Sequence, residues 1–288
     1  MEEVQEALEG RRYVSERALA MTIYLAQRLG KAVFLEGEAG VGKTEVGKVV
    51  AEAMGARLIR LQCYEGLDAS TALYEWNYAK QILWIRMQEG RAAGREEVER
   101  TIFGEEFLLR RPLLEAIHNE EEVAPVLLID EVDRADEEFE AFLLEVLSDF
   151  QVTIPELGTF RARRRPFVVL TSNRTRDIND ALKRRCLYHW IEYPGLEKER
   201  VIVRKKVPEL AAEVAEQVCR FMQRLRRMDF YKKPGVAETL DWARALAVLG
   251  QQRLDAASVE ETIGCLLKYH DDMDRLRQAG IDGLLAAP

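Results

Sequence analysis

The chain has 288 residues, 48% of them hydrophobic and 32% charged, with a formal net charge of −8. No apolar run reaches the length of a membrane-spanning helix, and the acidic balance argues weakly against general nucleic-acid binding, which needs a basic face. Cys63, Cys186, Cys219 and Cys265 lie far apart with no C-x-x-C pair, which argues against a disulfide framework or a zinc site. The acidic start Met-Glu-Glu-Val lacks the basic-then-apolar order of a signal peptide, so the expected location is cytoplasmic.

Taken in order, residues 1–30 read as helical, with Ala18–Leu29 apolar around most of its circumference and Gly30 as a stop. Ala32–Leu35 is a short apolar run suited to a buried strand. Residues 37–44, Gly-Glu-Ala-Gly-Val-Gly-Lys-Thr, follow it and fit G-x-x-x-x-G-K-[ST]. Thr44–Met54 then carries apolar residues at helical spacing. In a strand–loop–helix of this kind, Gly37, Gly40 and Gly42 let the backbone curl so that its N–H groups point inward. The helix N-terminus adds its dipole, and a polyphosphate is held by amide donors. The segment Gly37, Glu38, Ala39, Gly40, Val41, Gly42, Lys43, Thr44 and Glu45 is thus the expected nucleotide cradle. Lys43 would reach the β- and γ-phosphates and Thr44 would ligate Mg²⁺.

Ala56–Cys63 reads as a second strand, and a βαβ crossover implies a parallel sheet. Residues 66–118 are the least regular part. Tyr74, Trp76, Tyr78, Ile82, Leu83, Trp84 and Ile85 make an aromatic-rich stretch expected to be partly buried, Arg91–Arg100 is charged and expected to be exposed, and Leu108–His118 reads as a helix, with Pro112 a candidate for its first turn. Val126–Ile129 is a continuous apolar run, as a strand buried on both faces requires. Glu137–Leu147 is an amphipathic helix, Gln151–Ala162 a hairpin, Phe167–Leu170 another buried strand, Ala181–Cys186 a short helix and His189–Tyr193 a fifth strand. Pro194-Gly195 breaks the pattern. Beyond it come only helices, expected over Val207–Met228, Val236–Leu249 and Ala257–Tyr269.

Attack of water on a γ-phosphoryl group needs a phosphate cradle, a metal, a group to orient the water and positive charge for the transition state. Asp130, directly after the apolar run at 126–129, is placed to hold Mg²⁺. Glu131 beside it can activate the water. Asn173, at the end of a second apolar strand, can hydrogen-bond the γ-phosphate or the water. Arg184 and Arg185 can supply the charge.

With these residues the chain resembles an AAA+ ATPase of the MoxR type, from about Tyr13 to about residue 269. The matching stretches are Gly-Glu-Ala-Gly-Val-Gly-Lys-Thr (Walker A), Val-Leu-Leu-Ile-Asp-Glu-Val-Asp-Arg (Walker B), Thr-Ser-Asn (sensor 1) and Ala-Leu-Lys-Arg-Arg-Cys (arginine-finger helix). Residues 233–246 resemble the lid of a branch encoded beside von Willebrand factor A proteins. Within it the chain is most similar to ATPases that help mature carbon monoxide dehydrogenase and related molybdenum hydroxylases. The resemblance implies an α/β P-loop core of three layers over residues 1–194, followed by a small all-helical lid over 195–288. It places an insertion within 68–111 and a hairpin at about 151–165, both facing a pore or partner. It also implies ATP and Mg²⁺ as cofactors, a homo-hexameric ring with Arg184 or Arg185 acting on a neighbour's nucleotide, a von Willebrand factor A partner and a metalloenzyme client. One feature departs from the pattern: Gly235-Val236-Ala237-Glu238-Thr239 has no arginine where many relatives carry sensor 2, leaving Arg244 or Lys233 as substitutes.

Two other readings stand beside this one. A DNA-directed AAA+ motor or loader draws on Arg161, Arg163, Arg164 and Arg165, against the acidic net charge. A nucleotide-dependent scaffold with little hydrolysis has Glu131 against it. No N-K-x-D motif marks a GTPase.

Overall fold

The computed structural model describes residues 1–88 and 95–286. Helices α1 (Glu2–Glu9) and α2 (Arg17–Leu29) open the chain. Strand β1 (Ala32–Gly37) runs into the glycine loop, α3 (Lys43–Met54) runs out of it, and β2 (Leu58–Gln62) follows. Short elements come next: α4 (Ala69–Leu73), β3 (Tyr74–Trp76), α5 (Tyr78–Gln88), α6 (Arg95–Ile102), β4 (Leu108–Arg110) and α7 (Pro112–Ile117). After β5 (Val126–Asp130) and α8 (Glu137–Asp149), β6 (Gln151–Ile154) and β7 (Gly158–Arg161) form the expected hairpin. β8 (Phe167–Ser172), α9 (Asp180–Arg185) and β9 (Cys186–Ile191) complete this part.

Five strands make one sheet in the order β2-β5-β8-β1-β9, with β2–β5, β5–β8 and β8–β1 paired in parallel. The sequence separates the centre of this sheet from its edge. β1, β5 and β8 are buried at every position, while β2 alternates buried with exposed residues. Central strands covered on both faces need unbroken apolar runs, and an edge strand does not.

The chain divides into two compact units. One holds Ala18–Glu36 and Gly47–His189; the other holds Glu2–Arg17, the loop Gly37–Val46 and the chain from Trp190 onward. The first has its own core, in which Phe34, Leu127, Ile129, Phe139 and Leu170 fill the space around the sheet. In the second, α10 (Leu196–Lys206), α11 (Ala212–Leu225), α12 (Val236–Val248), α13 (Ala256–Leu266), α14 (His270–Ala279) and α15 (Ile281–Ala286) pack around Phe221 and Trp242. Those two rings lie 5.5 Å apart, and Trp242 Nε1 donates to Thr262 Oγ1 at 2.7 Å. Among the described residues no strand follows Ile191, and no helix is long and apolar enough to cross a membrane.

Several boundaries differ from the sequence expectation. The helix read over Leu108–His118 begins at Pro112, the candidate first turn, and Leu108–Arg110 instead pairs antiparallel with β3. Proline forces the residue before it out of helical conformation, and Arg111 is extended. The helix expected from Val207 begins at Ala212, because Val207 caps α10 and Pro208 lies in the turn that separates the two helices. The fifth strand starts at Cys186, directly after α9, rather than at His189.

The aromatic stretch splits. Trp76 is buried against Phe103 and Trp84 packs on Phe107, whereas Tyr78, Ile82, Leu83 and Ile85 are exposed. Residues 91–94 of the charged stretch, and 287–288 of the expected lid, lie outside the described residues.

Candidate active site

The glycine loop belongs to the second unit, and its geometry is set there. Gly40 and Gly42 have φ of +77° and +95°, in the left-handed region open to glycine. A side chain at Gly37 would strike the Ile191 carbonyl at 2.3 Å, so only glycine fits there. Val41 is buried, Glu38 is exposed, and Ala39, Thr44 and Glu45 are half-buried. Lys43 is buried, and its ammonium donates to the Gly37 and Glu38 carbonyls at 2.7 Å each. Glu45 pairs with Lys206 of α10 at 2.8 Å.

The N-terminus of α12 is seated on this loop. The Val236 and Ala237 N–H groups both donate to the Gly40 carbonyl, at 2.9 and 3.2 Å. Helix N–H groups thus meet the cradle's own backbone. Of the two expected substitutes for the sensor-2 arginine, Arg244 pairs with Asp241 at 3.1 Å and Lys233 is exposed. Arg226 is buried in a bidentate pair with Glu199, at 2.8 and 2.6 Å, and lies over the Tyr193 ring. Burial, then Glu38, pushes the Tyr193 phenol up to about 12.

The acidic group belongs to the first unit. Asp130 ends β5 and is 1% exposed. Its Oδ1 accepts the Thr171 hydroxyl at 2.5 Å, and its Oδ2 accepts Arg60 Nε at 3.1 Å. Glu131 follows in left-handed conformation, with φ +57°. That conformation is uncommon for a residue with a side chain. Here the Glu131 N–H donates to Thr171 Oγ1 at 2.9 Å. The Glu131 carboxylate accepts Asn173 Nδ2 on one oxygen, at 3.2 Å, and Gln62 Nε2 on the other, at 3.1 Å. Burial first, then the charges of Asp130, Asp133 and Glu131, pushes the neighbouring Cys63 thiol up to about 12.

Asp130, Glu131 and Asn173 are therefore brought together. Arg60, Gln62, Thr171 and Asp133 join them and were not singled out from sequence. A signal for two of them existed. Alternation in Leu-Ile-Arg-Leu-Gln puts Arg60 and Gln62 on the same face, and Gln62 stands in register with Asp130.

Arg184 and Arg185 lie apart from this group, exposed in the last turn of α9. Asn179 caps α9 by accepting the Ala181 N–H at 2.9 Å, and its own N–H donates to the buried Glu140 at 2.8 Å. Of the arginine run, Arg164 donates to the Glu121 carbonyl and Arg165 lies over the Phe150 ring.

A parallel sheet with a glycine loop after β1 and an acid pair after β5 is the arrangement of a P-loop nucleoside triphosphatase. The AAA domain family, dynein-related subfamily, matches residues 32–186, and the chain belongs to that family. A comparison with curated proteins finds no match. Among solved structures, the chain is similar to a Cytophaga hutchinsonii protein described as an ATPase, at 14% identity and TM-score 0.52, covering 99% of this chain and 93% of that one. It is also similar to a point variant of Thermotoga maritima RuvB, at 16% identity and TM-score 0.50, covering 100% and 78%. Another Thermotoga maritima RuvB structure, of the Holliday junction branch migration motor, gives 16% identity and TM-score 0.46 over 90% and 68%. At these identities the likeness is one of fold.

Proposed function

We propose that this chain is an ATP-hydrolysing AAA+ remodelling ATPase of the MoxR type. The observation that supports it most is the polar cage around Glu131, in which two amides aim one carboxylate beside a buried aspartate. Such a cage suits a base that must hold one orientation while water attacks. Mg²⁺ and ATP, when bound, supply the electrophilic γ-phosphoryl group.

The donor set fits them. Gly42 has open space where a side chain would stand, and the amides of residues 37–44 can follow the phosphates. Lys43 would neutralise phosphate charge. Thr44 and Asp130 would hold the metal. Mg²⁺ of this kind takes few protein ligands, and phosphate oxygens and water would complete its shell. Glu131 would take the proton of the attacking water, with Asn173 orienting it.

The finer reading rests on the family resemblance of the whole motif set, with residues 233–246 carrying the von Willebrand factor A branch. It comprises a lid over 195–288, a hexameric ring, Arg184 or Arg185 acting across a subunit interface, a von Willebrand factor A partner and a metalloenzyme client. The exposure of both arginines at the end of α9 is compatible with action on a neighbour. The DNA-directed alternative has less support, because Arg164 and Arg165 are engaged on the protein's own surface.

Glu131→Gln tests the reading. It keeps the side chain's volume but removes the base, so turnover falls by about two orders of magnitude or more with ATP binding retained. Normal hydrolysis by this variant overturns the role given to Glu131. The same variant, held with ATP, is the bait for partner and client.

A further inference from the structure

Asp133 lies two residues beyond Glu131 and is 3% exposed. Its carboxylate is spent on one loop. Both oxygens accept the Asn173 N–H, at 3.2 Å each, and Oδ2 also accepts the Thr175 N–H at 2.9 Å and the Thr175 hydroxyl at 2.7 Å. Between those two tethered residues Arg174 sits at φ +58°, in the left-handed region. A residue with a side chain holds that conformation only when its surroundings fix it.

The kink has a consequence at Asn173. The backbone N–H of Asn173 is bound to Asp133 while its side-chain amide reaches back to Glu131 Oε1. One acid therefore holds the loop, and the loop holds the amide against the other acid. Without Asp133, the Asn173 and Thr175 N–H groups lose the acceptor that fixes this loop and aims Asn173 at Glu131.

We propose that Asp133 is a positioning residue for hydrolysis, acting through Asn173. This rests on the hydrolytic reading above. Asp133 touches neither nucleotide nor water in this role. It sets the direction of the amide that does, and a misdirected orienting group lowers the rate of chemistry without weakening nucleotide binding.

The test is a double-mutant cycle on the full chain, read by steady-state ATP turnover and, separately, by binding of a fluorescent ATP analogue. Asp133→Asn keeps the volume but offers one acceptor oxygen to donors that need two. Alone it lowers kcat about tenfold, with KM and analogue affinity unchanged. In an Asn173→Ala background the same change alters kcat by less than about twofold, because the group it acts through is gone. Thr175→Val, which removes the hydroxyl donor and keeps the Thr175 N–H, gives a smaller fall with the same dependence on Asn173. It carries the cycle should Asp133→Asn not fold.

Equal losses in both backgrounds, or a parallel loss of analogue affinity, make Asp133 a structural acid and overturn the proposal. A wild-type chain that binds the analogue but shows no turnover overturns the hydrolytic reading itself, and this inference with it.

Discussion

Gly235 and Gly195 offer a matched pair of substitutions. Both are N-caps, of α12 and α10, and neither has positive φ: Gly235 is at −86° and Gly195 at −64°. An alanine is therefore permitted by the backbone at each. What differs is space. A Cβ at Gly195 meets nothing within 4 Å, whereas one at Gly235 meets the Gly40 Cα and carbonyl carbon at 2.8 Å and the Ala39 oxygen at 2.9 Å. These are backbone atoms of the nucleotide loop and cannot rotate aside. The contact falls 0.6 Å short of the 3.4 Å at which ordinary packing begins. The α12 N-terminus must back away, and Gly40 O loses its bonds from Val236 and Ala237. Two hydrogen bonds at about 1 kcal/mol each, with about 1 kcal/mol of residual strain, give about 3 kcal/mol of destabilisation. Gly195→Ala should stay within about 0.5 kcal/mol of wild type. Urea unfolding followed by far-UV circular dichroism reads both, and a drop of about 1 M in midpoint is expected for Gly235→Ala. ATP affinity should fall in Gly235→Ala alone, since the displaced loop is the phosphate cradle. Equal midpoints for the two variants, or full ATP affinity in Gly235→Ala, would refute the idea that α12 braces the loop.

That brace was not legible in the sequence. The loop, the acid pair and the sheet were, because each is a local pattern. Eight consecutive positions define the cradle, and three fully buried strands announce themselves as unbroken apolar runs. Proline marked one helix start correctly, since α7 begins at Pro112, while α11 begins at Ala212, beyond the turn that holds Pro208. α10 was missed because Leu-Glu-Lys-Glu-Arg-Val-Ile-Val-Arg-Lys-Lys buries only Glu199 and Val203, too few residues to draw an apolar stripe. The support of the site was hidden for a different reason. Gln62 reaches Glu131 across 69 positions of chain, and Asp133 reaches Thr175 across 42. Such contacts come from strand order and loop path, which no local pattern encodes. Gly235 belongs with them. In sequence it is one glycine before a helix, and its meaning lies in the Gly40 backbone 2.8 Å away.

Three further outcomes are expected. Lys43→Ala should abolish measurable ATP binding while leaving the far-UV spectrum intact, checked by titration with a fluorescent nucleotide; unchanged affinity would separate Lys43 from the cradle. Mixing Arg184→Ala or Arg185→Ala subunits with Glu131→Gln subunits should recover part of the turnover that each lacks alone, and no recovery from any mixture counts against action across an interface. The last concerns alkaline stability. Burial pushes the Cys63, Cys186 and Cys219 thiols up to about 12 in the folded chain. In the unfolded chain a thiol ionises near about 8.5. Between those values the unfolded state gives up protons that the folded state keeps, so stability is whole below about pH 8.5 and is lost as pH rises toward 12. Each buried thiol contributes up to about 1.4 kcal/mol of loss per pH unit in that window. The melting temperature should therefore fall from pH 9 to pH 11, and more shallowly once Cys63→Ala, Cys186→Ala and Cys219→Ala are combined. Over the same range a thiol reagent should label the half-buried Cys265 before the other three. A melting temperature flat across that window, or early labelling of Cys63, would mean that water reaches these thiols and that the wall of the sheet beside Asp130 is open.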